Sequence, residues 1–297
     1  MAKSYEELRF TDDFMFGKVM EDKELCRQVL ECLLEYPVGE LQDVQPEREF
    51  RYTLDGKPIR LDVYTKSRDT VYDAEMQNLN HKSVKDLELP RRSRFYQSMM
   101  DGDYLQKGVS YRKLPEGKIL FICTFDPFGK GQARYIFENR CEAEPELLLQ
   151  DGTMKIFYNC TARTEQLPEN VRALYEYILT GTGKDHLTRK IEAAVEKARC
   201  NEKWRSEYMK ELLHDDDMRA EGREEGRAEG REEGRAEGRE EGILGFIRDK
   251  LEDGIDKETI LSKLKKIYSL TGETAEGYYE RELHDRRTVP KETGGAI

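Results

Sequence analysis

The chain has 297 residues, which at about 150 residues per domain means one large domain or two modest ones. Lys and Arg number 50 against 61 Asp and Glu, a net charge of −11, and charged and hydrophobic residues each make up 37%. That apolar share is low for a wholly globular chain, so one part is expected to be solvated and elongated, and the acidic balance argues against a bulk nucleic-acid coat protein without touching a localised site.

No stretch approaches the length of a transmembrane helix. Residues 1–10 carry Lys3, Glu6, Glu7 and Arg9 and no apolar run, so no secretory signal is expected. Six cysteines lie scattered without CxxC spacing, the pattern of reduced thiols in a cytoplasmic protein.

In chain order, residues 1–165 read as a mixed α/β domain. Thr11 or Asp12 caps a first helix through Phe14, Phe16, Val19 and Met20. A second helix, 22–36, carries Leu25, Val29, Leu30, Leu33 and Leu34. Strand-like runs follow at 47–54, 58–65 and 70–78, then a helix over roughly 83–106. The apolar run 118–125 reads as a buried central strand, with further strands at 134–139 and 154–160. Residues 166–220 are helical: Val171–Leu179, then a run from Leu187 to Met218.

Residues 221–242 read EGREEGRAEGREEGRAEGREEG. Glycine returns every fourth position, and nine Glu against five Arg leave a charge of −4. Nothing larger than alanine is available for a core. Glu, Arg and Ala favour helix, but each glycine costs about 1 kcal/mol against alanine. The segment reads as a marginal helix or extended spacer. Residues 243–285 then form a small helical module, with Asp256 as an N-cap and Gly272 as a stop, and 286–297 reads as a disordered tail.

The chemistry gathers in Ile59–Thr65 and Thr70–Gln77. Both arms alternate: Ile59, Leu61 and Val63 face one way and Arg60, Asp62 and Tyr64 the other. A turn at Arg68–Asp69 sets Leu61 opposite Met76, Val63 opposite Ala74 and Arg60 opposite Gln77. The same register sets Asp62 opposite Glu75, Cβ atoms about 5 Å apart. A one-residue slip would expose the apolar set. Opposed carboxylates repel unless a cation stands between them. A divalent metal, Mg²⁺ or Mn²⁺, meets that need; a solvent-facing hairpin with unrelated acids is the alternative.

The order Asp62, then Glu75-Met-Gln77 on the next strand, resembles the PD-(D/E)XK nuclease core. More narrowly, the chain resembles the Rpn family (recombination-promoting nuclease, transposase-like). The likeness lies in Thr11-Asp-Asp13-Phe-Met-Phe16, Arg60-Leu-Asp62, Glu75-Met-Gln77, Arg91–Tyr96, Leu105–Tyr111 and the glycine-arginine-glutamate repeat. It spans residues 10–163 and the repeat, and it is carried by the ordered set of motifs. It implies a restriction-endonuclease-like α/β core, a mixed central sheet flanked by helices, with a C-terminal helical extension.

The resemblance also implies Asp62 and Glu75 as metal ligands and a Mg²⁺-dependent endonuclease acting on DNA, linked to recombination or mobile elements. Gln77 takes the place of the usual motif lysine. Its amide orients water or phosphate but cannot act as a base. Asp13 is a candidate additional acid, with a helix-capping role as the alternative. Glu40 and Glu49 are further acids of the preceding segment, and the sequence does not choose between them. Residues 81–114 carry eight cations against four acids. Arg91 and Arg94 share a helix face there and, with Arg60, are the candidate phosphate-binding residues. A catalytically weak DNA-binding or protein-interaction module is the alternative function. Residues 243–282 are a candidate self-association or DNA-binding element, and no membrane partner is expected.

Other motifs are missing. Gly181-Thr-Gly183-Lys184 lacks the strand and the Ser/Thr of a phosphate loop. The four histidines show no zinc spacing. No GxSxG is present. His81 reads as a surface residue close to the core motif.

Overall fold

The computed structural model describes residues 3–50, 59–78, 88–104 and 110–288; the side chains of 215, 219, 221, 225 and 285–288 stand outside that description. The chain divides into two units, Met1–Leu212 and Leu213–Ile297.

The first unit opens with α1 (Asp13–Met20) and α2 (Lys23–Leu34). Asp22 starts α2 by accepting the Glu24 and Leu25 N–H groups, each at 3.0 Å. Next come β1 (Val44–Phe50), β2 (Ile59–Ser67), β3 (Thr70–Gln77) and α3 (Leu89–Tyr104). They are followed by β4 (Glu116–Cys123), β5 (Arg134–Phe137) and β6 (Thr153–Asn159). Then α4 (Glu169–Thr180), α5 (His186–Arg199) and the start of α6 (Glu202–Glu252) complete the unit. The strands form one mixed sheet of order β1-β2-β3-β4-β6-β5. β1, β2 and β3 are successively antiparallel, β3, β4 and β6 parallel, and β5 antiparallel to β6.

Helices cover both faces. On one, residues of α1, α2, α4 and α5 pack with Val63, Tyr72, Ala74, Met76, Leu120 and Ile122. On the other, Leu89, Tyr96, Met99 and Met100 of α3 pack with Leu61, Tyr64, Val71, Ile119 and Phe121. β4 is therefore apolar on both sides, as a strand buried twice over must be.

The hairpin has the expected register from Ser67↔Thr70 to Val63↔Ala74, around an Arg68 in the left-handed region (φ 51°); the expected ladder pairs Asp62–Glu75, Leu61–Met76 and Arg60–Gln77 are not formed, because the ladder ends at Val63↔Ala74. Its faces differ from expectation. Ile59 and Leu61 pack with Tyr64 and Val71, whereas Val63 packs on the opposite side. Alternation breaks at Asp62. On β1, Glu47 lies between the pairs Pro46↔Val63 and Arg48↔Leu61 and carries φ 53°. The strands kink together there, so one face cannot hold Leu61 and Val63 at once.

The predicted strand at 47–54 instead begins at Val44. Residues 51–54, 58, 83–87, 105–106 and 289–297 of the predicted elements, with His81 and the segment 105–109, lie outside the described residues. The helical run from Leu187 breaks at Cys200–Asn201. There Asn201 restarts the helix by accepting the Lys203 and Trp204 N–H groups at 3.1 and 3.2 Å.

In the second unit the repeat is helical throughout, inside α6. The end of α6 packs with α7 (Lys257–Tyr268) and α8 (Gly272–Thr288) around Ile243, Ile247, Ile260, Leu264, Ala275 and Tyr279. Asp256 caps α7 through the Thr259 N–H at 3.0 Å. Gly272 is not the stop: α7 ends at Tyr268 with Ser269 left-handed (φ 53°), and Gly272 opens α8. Among the described residues no helix is long and apolar enough to cross a membrane.

Candidate functional site

β3 and β4 run parallel and end together, Gln77 beside Cys123. The Thr124 N–H donates to the Gln77 carbonyl at 3.0 Å. Asn78 donates to the Thr11 carbonyl and accepts from the Thr124 hydroxyl at 2.8 Å. These bonds tie the strand ends to the chain just before α1, and this corner of the sheet holds the predicted acids.

Past Val63↔Ala74 the β2–β3 ladder changes character. The Asp62 N–H donates to Glu75 Oε1 at 2.9 Å, and the Met76 N–H donates to Asp62 Oδ2 at 2.9 Å. Each carboxylate replaces a carbonyl of the other strand as acceptor. The kink at Asp62 is what lets the side chains enter the ladder. The Glu75 side chain is 1% exposed and Asp62 is half-buried. Burial pushes the Asp62 carboxyl well above its ordinary value, and Glu75 and Asp13 push it further; the Met76 N–H and Arg92 oppose them. Glu75 is raised well above its ordinary value by burial and then by Asp73, against the Asp62 N–H and Arg92.

Arg92 is the cation that the opposed acids require. Reaching in from α3, it donates through Nη2 to Glu75 Oε2 at 3.2 Å and through Nη1 to Gln77 Oε1 at 2.9 Å. Nε and Nη2 also donate to the Tyr96 hydroxyl at 3.1 and 2.9 Å. The guanidinium carbon lies 5.4 Å from the Tyr96 ring centre and 5.9 Å from that of Phe121.

Asp73 sits behind Glu75, fully buried. Among the described residues no N–H or hydroxyl reaches either of its carboxyl oxygens. Its carboxyl lies beside that of Glu75, and each shifts the other. Burial, then Asp62, raise Asp73 well above the usual carboxylate range.

The other predicted residues fall into place unevenly. Asp13 is the first residue of α1, one past the cap position held by Asp12. It joins the group electrostatically: burial raises its carboxyl, Arg60 lowers it, Asp12 raises it and Arg92 lowers it. Arg60 pairs with Glu211 at the start of α6. Arg91 is 80% exposed and bonds Glu88 at 3.2 Å, and Arg94 is exposed; neither turns inward with Arg92. Glu40 and Glu49 are exposed. Glu49 is the register partner of Arg60, whereas Glu47 is the acid of β1 that Arg60 acts on electrostatically: burial and then Glu211 raise its carboxyl, and Arg60 lowers it.

Sequence reasoning missed Arg92, Tyr96 and Asp73 as members of the site. Arg92 and Tyr96 are four residues apart, on the helix face that carries the buried Ser93, Met99 and Met100. That spacing was the available signal.

Asp62 and Glu75 are the pair suited to a hard divalent cation, which is commonly held by one or two carboxylates, water and substrate phosphate. Among the described residues no group of three or more His, Cys, Asp or Glu side chains is arranged around a metal position. Comparisons with protein-family models, curated proteins and solved structures return no match.

Proposed function

We propose that the chain is a metal-dependent DNA endonuclease with a PD-(D/E)XK core of the Rpn kind, connected with recombination or mobile elements. The observation that carries the reading is the Asp62–Glu75 pair, with Gln77 one alternate position further along β3 at the end of the parallel strands. Ligands gather at that end of open α/β sheets. The order of these residues and the mixed sheet support the resemblance drawn from sequence.

Asp62 and Glu75 would hold Mg²⁺ or Mn²⁺, which when bound acidifies a coordinated water and offsets phosphate charge. The attacking water gives up a proton to solvent as its oxygen adds to phosphorus, the bond to the leaving sugar oxygen breaks, and that oxygen takes a proton from solvent. Gln77 orients water or phosphate through its amide. Asp13 stands by as a further acceptor, and Arg60 would supply positive charge only on leaving its pair with Glu211.

The Arg92–Glu75 ion pair favours a second reading. A site already neutralised by arginine suits a nuclease-fold DNA-binding or protein-interaction module in which cleavage is weak. Supercoiled plasmid incubated with Mg²⁺, Mn²⁺ or EDTA separates the two. Metal-dependent nicking lost in Asp62→Ala and Glu75→Ala is the expected result. Equal nicking by all three chains, with DNA still bound, would leave the binding module standing.

A further inference from the structure

Arg92 spends four of its five N–H donors inside the site: one on Gln77, one on Glu75 and two on the Tyr96 hydroxyl. Its side chain is 32% exposed, against 1% for Glu75. Arg92 therefore binds a buried carboxylate through a side chain that is itself partly open to solvent. A divalent cation on Asp62 and Glu75 would stand next to this positive charge and be repelled by it. A DNA phosphate offers the guanidinium the same two-oxygen geometry as a carboxylate. Arg91 and Arg94 do not compete for that part, because both sit on the exposed side of α3.

We infer that Arg92 is an exchangeable latch. It holds Glu75 and Gln77 in the arrangement seen here and passes to a phosphate of the incoming nucleic acid. Tyr96 retains it through the exchange by hydroxyl and ring. The exchange frees Glu75 for the metal, so DNA and metal each promote binding of the other, as linkage requires. The inference rests on the nuclease reading. It makes Arg92 a positioning residue whose role shows in binding as well as turnover.

The test is Mn²⁺ binding to the full chain at pH 8, followed by electron paramagnetic resonance of the free ion. It is run with and without a phosphorothioate duplex that resists cleavage. Wild type should bind Mn²⁺ about tenfold tighter with duplex than without. Arg92→Gln should bind Mn²⁺ about tenfold tighter than wild type without duplex, and duplex should add little. Arg92→Lys keeps the charge but loses the fork, and should fall between the two. Glu75→Gln should lose the ion in every case. If Arg92→Gln and Arg92→Lys bind Mn²⁺ like wild type while Glu75→Gln does not, Arg92 is structural and the latch fails with the metal site intact. If no chain takes up Mn²⁺ even with duplex, the nuclease reading fails and the latch with it.

Discussion

Asp73 is fully buried on β3, two residues before Glu75, and among the described residues no N–H or hydroxyl stands at either carboxyl oxygen. Two neighbouring acids buried in a sheet interior are costly, because any second charge must be desolvated beside the first. Asp73→Asn keeps the shape and gives Glu75 an amide donor. It should stabilise the chain by about 1 kcal/mol in urea unfolding at pH 7; an unchanged or lower midpoint would mean that Asp73 is already satisfied. At this scale the sequence showed the acids well and their partners poorly. The Arg68–Asp69 turn set the two strands in register, but Asp62 and Glu75 meet where the alternation fails, each carboxylate bonding a backbone N–H of the other strand. Arg92 was one of three arginines in Arg91–Arg94, and only the placement of α3 on the sheet separates the inward one from the two in solvent.

Among the elements, the turn between β4 and β5 depends most on a single charge. Asp126 Oδ1 accepts the Phe128 and Gly129 N–H groups at 3.0 and 2.9 Å and the Tyr135 hydroxyl at 2.7 Å. Oδ2 accepts the Gly131 N–H at 2.7 Å. Gly129 and Gly131 both take positive φ, 65° and 70°, so the backbone curls its donors around the carboxylate. Burial would raise the Asp126 carboxyl, but the Tyr135 hydroxyl and the three N–H groups outweigh it and leave it below its ordinary value. A depressed folded value contributes stability above the ordinary aspartate value near 3.9, lost as pH falls through the folded value. Asp126→Asn should therefore cost about 1–2 kcal/mol at pH 7, and its unfolding curve should approach that of wild type toward pH 2. A gap that persists in acid would trace the effect to shape. Helices and strands were legible as elements because their apolar periods are strong. Their local departures were not. The kink at Asp62 depends on Glu47 across the strand pair. The break at Cys200–Asn201 depends on an asparagine cap inside an unbroken apolar pattern.

At the scale of the whole molecule each unit has buried clusters of its own. The two clusters on the sheet draw on no fully buried side chain beyond Tyr208, and the third begins at Ile243. Between them runs the glycine repeat, which the sequence left between helix and extended spacer because propensities oppose one another there. It is helical, yet a Cβ built at Gly222, Gly226, Gly230, Gly234 or Gly238 meets nothing within 4 Å. These glycines are therefore not required by close packing within the chain, and they lower the cost of opening the helix locally. Trypsin cuts after arginine only where backbone opens, so first cleavage is expected between Arg223 and Arg239. Gly226→Ala, Gly230→Ala and Gly234→Ala together favour the helix by about 1 kcal/mol each. Even if a cut requires only part of the segment to open, the combined variant should be cleaved there about tenfold more slowly or slower still. Cleavage at other sites should proceed at its former rate. Equal cleavage within the repeat would mean that opening there is not limited by helix propensity.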